Sequence, residues 1–178
     1  MIIGLSGYAQ SGKDTIASIL VEKHGWKRVA FADKIKEFAE GLDITFYDGA
    51  RLQDLVKADG WDKAKLFPDV RGLLQDIGVS ARNAFGEYFW VDQALAQVLN
   101  DETNYVITDV RFPNEVEAIK SMGGKVGLIS RLGVNAVNEH VSEHALANSG
   151  FDFRIENDGD LKELEETVDW ALSEWLSE

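Results

Sequence analysis

The chemistry in this chain is concentrated near its start. Gly7-Tyr8-Ala9-Gln10-Ser11-Gly12-Lys13 is a glycine-bounded loop that delivers a lysine, and Asp14 and Thr15 follow it. Loop N–H groups and the positive end of a following helix favour an anion, and the lysine adds a mobile charge. A polyphosphate suits that combination. The run therefore predicts a nucleoside triphosphate site built from Gly7, Ala9, Gln10, Ser11, Gly12, Lys13, Asp14 and Thr15. The residue after the lysine is usually Ser or Thr, whose hydroxyl helps hold Mg²⁺. Here it is Asp14. A carboxylate is a good Mg²⁺ ligand, directly or through water. Asp14 is expected near the metal and Thr15 near a phosphate oxygen.

Other residues offer matching chemistry. Asp109 closes the apolar run Tyr105-Val106-Ile107-Thr108, where a carboxylate can hold Mg²⁺ or its waters. Arg111 lies two residues on, so an extended chain puts it on the same side as Asp109; a structural salt bridge is the plain alternative. Arg131 follows another strand and offers a planar fork to a migrating phosphoryl group. Residues 132–147 are polar and long enough to fold over as a lid. Arg71, Gln75 and Arg82 share one helical face. An arginine there can bind a monophosphate, a glutamine can read a base edge, and nearby Trp90 can stack on a base. A solvated face explains the same residues equally well. Asp33 reads as a helix cap or as a contact to an acceptor sugar. His140-Val141-Ser142-Glu143-His144 fits an inverted zinc-hydrolase pattern. Only one other histidine, His24, exists, and it falls on the far side of the phosphate-loop helix, which disfavours zinc.

These groups need elements to hold them. Residues 1–6 and 28–32 read as strands, and 105–110 as a central one because it is nearly all apolar or β-branched. Residues 125–130 and 151–155 complete five strands. Helices are predicted over 13–23, 34–40, 70–85, 90–99 and 114–122, and over a C-terminal stretch whose Leu161, Leu164, Val168, Leu172 and Trp175 mark one face. Residues 42–68 show no clear period and read as short helices and loops. Alternating strands and helices predict a parallel sheet covered on both faces. Ligands collect at the carboxyl ends of such strands. Residues 7–13, Asp33 with Lys34, Asp109 with Arg111, Arg131, and Asn157-Asp158-Gly159 would then share one rim.

Composition narrows the class. The chain has 178 residues, 45% of them hydrophobic, which suits one domain with a sizeable core. Its net charge of −13 repels polyanions and argues against a long nucleic acid partner, though not against a mononucleotide in a local basic pocket. No cysteine is present, so thiol catalysis and disulfides are excluded. No apolar run approaches the roughly 20 residues that span a bilayer. No basic leader precedes the first strand, so no secretory signal is expected and a cytoplasmic protein is.

Taken together these runs resemble the deoxynucleoside monophosphate kinases of tailed bacteriophages. The likeness rests on the phosphate loop with its Gly12-Lys13-Asp14-Thr15 variant and on Phe31-Ala32-Asp33-Lys34. It extends through Leu73-Leu74-Gln75-Asp76-Ile77-Gly78, Phe89-Trp90-Val91, Ser142-Glu143-His144-Ala145-Leu146 and Ile155-Glu156-Asn157-Asp158-Gly159. Thr108-Asp109-Val110-Arg111-Phe112-Pro113-Asn114-Glu115 is its most specific run. The resemblance implies a three-layer α/β/α P-loop kinase with a five-stranded parallel sheet, in one domain. Its core would be residues 1–41, 100–131 and 148–178, its helical acceptor-binding insert 42–99 and its lid 132–147. It implies transfer of phosphate from ATP to a deoxynucleoside monophosphate with Mg²⁺, Lys13 on the donor phosphates and Arg131 as lid arginine. It suggests Asn157 and Gly159 beside the donor adenine. The acceptor would lie among Asp33, Lys34, Arg71, Gln75, Arg82 and Trp90, with Glu143 from the lid. Lys13, Arg111 and Arg131 would carry catalysis, and Asp14 and Asp109 the metal. Such an enzyme acts in the cytoplasm of an infected cell, and a homodimer stays open. A kinase for dephospho-coenzyme A or phosphomevalonate shares the same core, and a nucleotide-binding regulator shares its loop.

Overall fold

Apolar runs interrupted by glycine and charge produce the predicted parallel sheet. The computed structural model describes residues 1–98, 102–134 and 150–175. Its strands are β1 (Ile2–Ser6), β2 (Lys27–Val29), β3 (Tyr105–Ile107), β4 (Lys125–Ser130) and β5 (Phe153–Glu156). They pair in the order β2-β3-β1-β4-β5, every pair parallel. The helices are α1 (Lys13–His24), α2 (Phe31–Glu40), α3 (Leu52–Ala64), α4 (Pro68–Phe85), α5 (Phe89–Leu95), α6 (Pro113–Ser121) and α7 (Leu161–Trp175). Among the described residues no helix is long and apolar enough to cross a membrane.

The chain divides into two compact units, Met1–Ala30 with Gln97–Glu178, and Phe31–Ala96. The first holds the sheet. Alternation along β1 sends Ile3 and Leu5 into a core with Ile16, Ile19 and Leu20 of α1 and Leu164, Val168, Leu172 and Trp175 of α7. Gly4 faces the other way, toward α6. A Cβ there would press on Ile119 at 2.7 Å and Val110 at 2.9 Å, so glycine lets α6 lie close against β1. Helices thus cover both faces, the three layers expected. Leu161, predicted to share the apolar face of α7, is 58% exposed and marks only its first turn.

The second unit is helical. It begins at Phe31, where α2 groups with α3–α5. Ala39, Leu52, Ala64 and Val70 form its core, with Leu73, Leu74 and Ile77 packed against them. The weak periodicity of 42–68 has a cause. α3 breaks at Gly60, whose φ of 75° and ψ of 169° interrupt the helical turn.

Several predicted boundaries move. β2 stops at Val29 rather than 32, since α2 already starts at Phe31. Asp33 therefore sits in the first turn of α2 and is not its cap. β3 ends at Ile107, and the segment carrying Asp109 continues along β1 through a Val110 N–H to Leu5 carbonyl bond of 3.2 Å. Most of the stretch read as a lid, with Glu143, His140 and His144, lies outside the described residues.

Candidate active site

The loop between β1 and α1 has the backbone its composition demands. Gly7 adopts φ 142° and Gly12 φ 104°, values that side chains rarely tolerate. Gln10, at φ 66°, is the one non-glycine residue with positive φ among those described. Space forbids side chains as well. A Cβ on Gly7 would run into the Ile129 carbonyl, and one on Gly12 into the Asn157 amide. The Ser11 N–H closes a turn onto the Tyr8 carbonyl at 3.2 Å, and the Ile16 N–H to Gly12 carbonyl bond, 3.0 Å, opens α1. The N-terminus of α1, with its partial positive charge, thus faces the loop.

Lys13 lies back across this loop. Its Nζ donates to the Gly7 carbonyl at 2.8 Å and to the Tyr8 carbonyl at 2.7 Å. Asp14 and Thr15 occupy exposed positions in the first turn of α1.

The segment after β5 braces the loop. Asn157 is 5% exposed, and its Nδ2 donates to the Ser11 carbonyl at 2.9 Å. Asp158 accepts from the Leu132 N–H at 2.6 Å, next to Arg131. Asp160 and Glu163 exchange bonds of 3.0 and 3.1 Å at the start of α7. The sequence suggested Asn157 and Gly159 as neighbours of an adenine. The Asn157 side chain bonds the Ser11 carbonyl, and Gly159 lies against Glu163.

A cleft of about 220 Å³ opens beside the loop, at the carboxyl ends of β1, β3 and β4. Gly7, Tyr8, Ala9 and Ser11 line it, as do Arg111, Arg131 and Arg154. Arg111 is anchored through its backbone, since its N–H donates to Glu115 Oε2 at 2.6 Å. Glu115 also takes the Phe112 N–H at 3.0 Å and caps α6, a role the motif did not reveal. Arg154 was not foreseen. The rim residues 7–15, Asp109, Arg111 and Arg131 all belong to the sheet unit, as the parallel topology requires.

The other candidates fall in the helical unit. Arg71 and Gln75 are exposed on α4, and Arg82 is half-buried on the same helix. Lys34 pairs with Glu37, and Asp33 with Lys36, each at 2.7 Å. Trp90 corrects the sequence reading. It is 7% exposed, its Nε1 donates to the Gly78 carbonyl at 3.0 Å, and its ring meets Phe38 and Phe89 edge-on. The ring is core, not a free stacking surface.

A parallel β2-β3-β1-β4-β5 sheet, a glycine-bounded loop and a lysine entering α1 define a P-loop phosphotransferase. A family model described as deoxynucleotide monophosphate kinase matches residues 62–168. That is more than half of the chain, and the chain belongs to this family. The deoxynucleotide monophosphate kinase of Enterobacteria phage T4 is 31% identical over 161 residues, 86% of this chain and 58% of that one. The enzyme of the same name in Escherichia phage RB69 is 29% identical over 136 residues, 74% of this chain and 53% of that one. The chain thus spans little more than half the length of these phage relatives. A protein of Acanthamoeba polyphaga mimivirus is 29% identical over 182 residues, 92% of each chain. Among solved structures, the dephospho-CoA kinase from Campylobacter jejuni superposes with a TM-score of 0.49 at 14% identity, over 97% of this chain and 96% of that one.

Proposed function

We propose that this protein transfers the γ-phosphoryl group of ATP to a deoxynucleoside monophosphate, giving the diphosphate and ADP. One observation carries the reading. A glycine-bounded loop and three arginines line one cleft, in a family member whose net charge is −13.

The acceptor's phosphate oxygen attacks the γ-phosphorus in line as the bond to the β–γ bridging oxygen breaks, its electrons leaving with ADP. A phosphomonoester with a second pKa near 6 is already ionised at neutral pH. No strong general base is then required, and catalysis reduces to positioning and charge neutralisation. Lys13 would leave the Gly7 and Tyr8 carbonyls for the donor phosphates. Arg111 and Arg131 would hold oxygens of the migrating group. Glycine-bounded backbone from Gly7 to Gly12, with Thr15, would cradle the donor, and the backbone near Asn157 and Gly159 would border its adenine.

The donor set suits Mg²⁺. Such an ion uses one or two carboxylates plus substrate phosphates and keeps several waters. Asp14 and Asp109 are carboxylates of that kind, and among the described residues no cluster of three or more acidic, His or Cys ligands exists for a dedicated protein cage. When bound, the ion would neutralise phosphate charge.

Acceptor recognition would fall to Asp33, Lys34, Arg71, Gln75 and Arg82 of the helical unit, with Glu143 from the segment after Arg131. Trp90 would act indirectly, tying α5 to α4. The residues after Arg131 would close over the reactants as a lid. The protein would act in the cytoplasm of an infected cell.

The decisive experiment is a coupled ADP-release assay over the four deoxynucleoside monophosphates and their ribonucleotide counterparts, with dephospho-coenzyme A and phosphomevalonate alongside. Turnover with at least one deoxynucleotide is the expected result. ADP release only with a non-nucleotide acceptor, or with none by natively folded protein, refutes the reading.

A further inference from the structure

Arg111 stands on a backbone fixed at three consecutive N–H groups. The Val110 N–H reaches the Leu5 carbonyl of β1 at 3.2 Å. One carboxylate oxygen then takes the next two. Glu115 Oε2 accepts from the Arg111 N–H at 2.6 Å and from the Phe112 N–H at 3.0 Å. Those two N–H groups belong to the peptide planes on either side of the Arg111 Cα. Peptides are planar, so holding both planes sets the direction in which the Arg111 side chain leaves the backbone. That side chain lines the cleft with Gly7 and Arg131.

Helix capping accounts for only half of this arrangement. In a capping box the third helical residue, here Glu115, reaches back to the N–H of the residue before the helix, here Phe112. The bond from Arg111 is the shorter of the two and lies one residue outside the box. Glutamine closes the same box without burying a charge. Glu115 is 8% exposed, and a buried carboxylate is costly unless its oxygens are bonded. The Arg111 guanidinium makes no ion pair among the described residues, so the two residues meet through the Arg111 backbone.

We infer that Glu115 is a positioning residue for phosphoryl transfer, one that touches no reactant and aims Arg111 at the migrating group. The inference deepens the proposed kinase reading and rests on its use of Arg111. A misplacement of about 1 Å in a charge-neutralising group can cost on the order of 10²-fold in rate. A contact made only in the transition state is lost from kcat, with KM unchanged. Removing Glu115 therefore lowers kcat and spares the KM of both substrates.

The test measures kcat and both KM values well below each variant's melting temperature. It compares wild type with Glu115→Ala, Glu115→Gln, Glu115→Asp, Arg111→Ala, the double variant Glu115→Ala with Arg111→Ala, and Ile119→Val. Ile119 is buried on the same helix, so Ile119→Val loosens α6 without touching the Arg111 backbone. Glu115→Ala should lower kcat about 10- to 100-fold. An amide oxygen accepts the same two N–H groups at roughly half the strength, so Glu115→Gln should recover about half of that loss on a logarithmic scale. Glu115→Asp keeps the charge but withdraws it by one methylene, and it should resemble Glu115→Ala. With Arg111 already removed, Glu115→Ala should cost no more than about twofold. Ile119→Val should melt lower and keep the wild-type kcat. If Glu115→Ala does not fold, the Gln and Asp variants carry the comparison, and their difference should vanish when Arg111→Ala is added. Losses that multiply in the double variant, Asp outperforming Gln, or a change confined to KM overturns the inference while the kinase reading stands. So does Ile119→Val matching Glu115→Ala, or Arg111→Ala with wild-type kcat. Natively folded wild type that phosphorylates no deoxynucleotide overturns both.

Discussion

Asn157 is where a small change should have a large, calculable effect. Its amide reaches the Ser11 carbonyl at 2.9 Å in a site that is 5% exposed. Only the NH₂ end of an asparagine can donate to a carbonyl, so the orientation follows from chemistry. The bond holds a peptide flanked by Gln10 at φ 66° and Gly12 at φ 104°, both at positive φ. Asn157→Ala deletes the donor and leaves a buried carbonyl short of a partner, at about 1–3 kcal/mol. For a chain of this size each kcal/mol lowers Tm by roughly 2–4 °C, so the melting point should fall by about 2–12 °C. Expressed entirely as loop misorientation, the same energy weakens ATP affinity by roughly 5- to 150-fold. Asn157→Asp is the sharper variant. It keeps the size but sets a carboxylate against the Ser11 carbonyl, beside the loop proposed to hold polyphosphate. The expected order of affinity for a nonhydrolysable ATP analogue, measured by calorimetry with thermal melts in parallel, is wild type, then Ala, then Asp. An Asp variant that binds as well as wild type, or an Ala variant with unshifted Tm and affinity, would refute the bracing role.

Lys13→Ala and Arg131→Ala should each cut turnover about 10²- to 10³-fold with native far-UV circular dichroism, as loss of one charge-stabilising contact does. Asp14→Asn should raise the Mg²⁺ concentration needed for half-maximal rate; an unchanged Mg²⁺ titration would remove Asp14 from the metal. Gly12→Ala should abolish ATP binding at little change in helix content, because its Cβ meets the Asn157 amide. Trp90→Ala should cost about 3–5 kcal/mol by opening the packing of α2, α4 and α5, seen in chemical denaturation.

The elements readable from sequence were those with local causes. The phosphate loop declares itself through glycines that only positive φ or close approach explains. Strands such as Val126 to Ile129 declare themselves through apolar content, and α1 ends where Gly25 turns left-handed at φ 72°. Long-range choices stayed hidden. Trp90 looks identical in sequence whether it stacks on a base or fills the space between α4 and α5. Asp33 resembles a cap because Asp often is one, but buried Phe31 starts α2 earlier. Arg154 carried a faint signal, its alternation with Phe153 and Ile155. Which face those residues bury depends on the register with β4, which no local pattern encodes.

The segment after β5 shows how such non-local choices become function. Asn157 fixes the loop that precedes Lys13, while Asp158, the next residue, fixes Leu132, which follows Arg131. Asp160 then starts α7, whose Leu164, Val168 and Leu172 are buried in the sheet's core. One short stretch therefore holds the backbone next to Lys13 and next to Arg131 within the sheet unit. Electrostatic stabilisation depends on charges already in place when the transition state forms. In the proposed reading the polar run from Asn157 to Asp160 fixes the backbone that carries such charges, through three bonds on Ser11, Leu132 and Glu163.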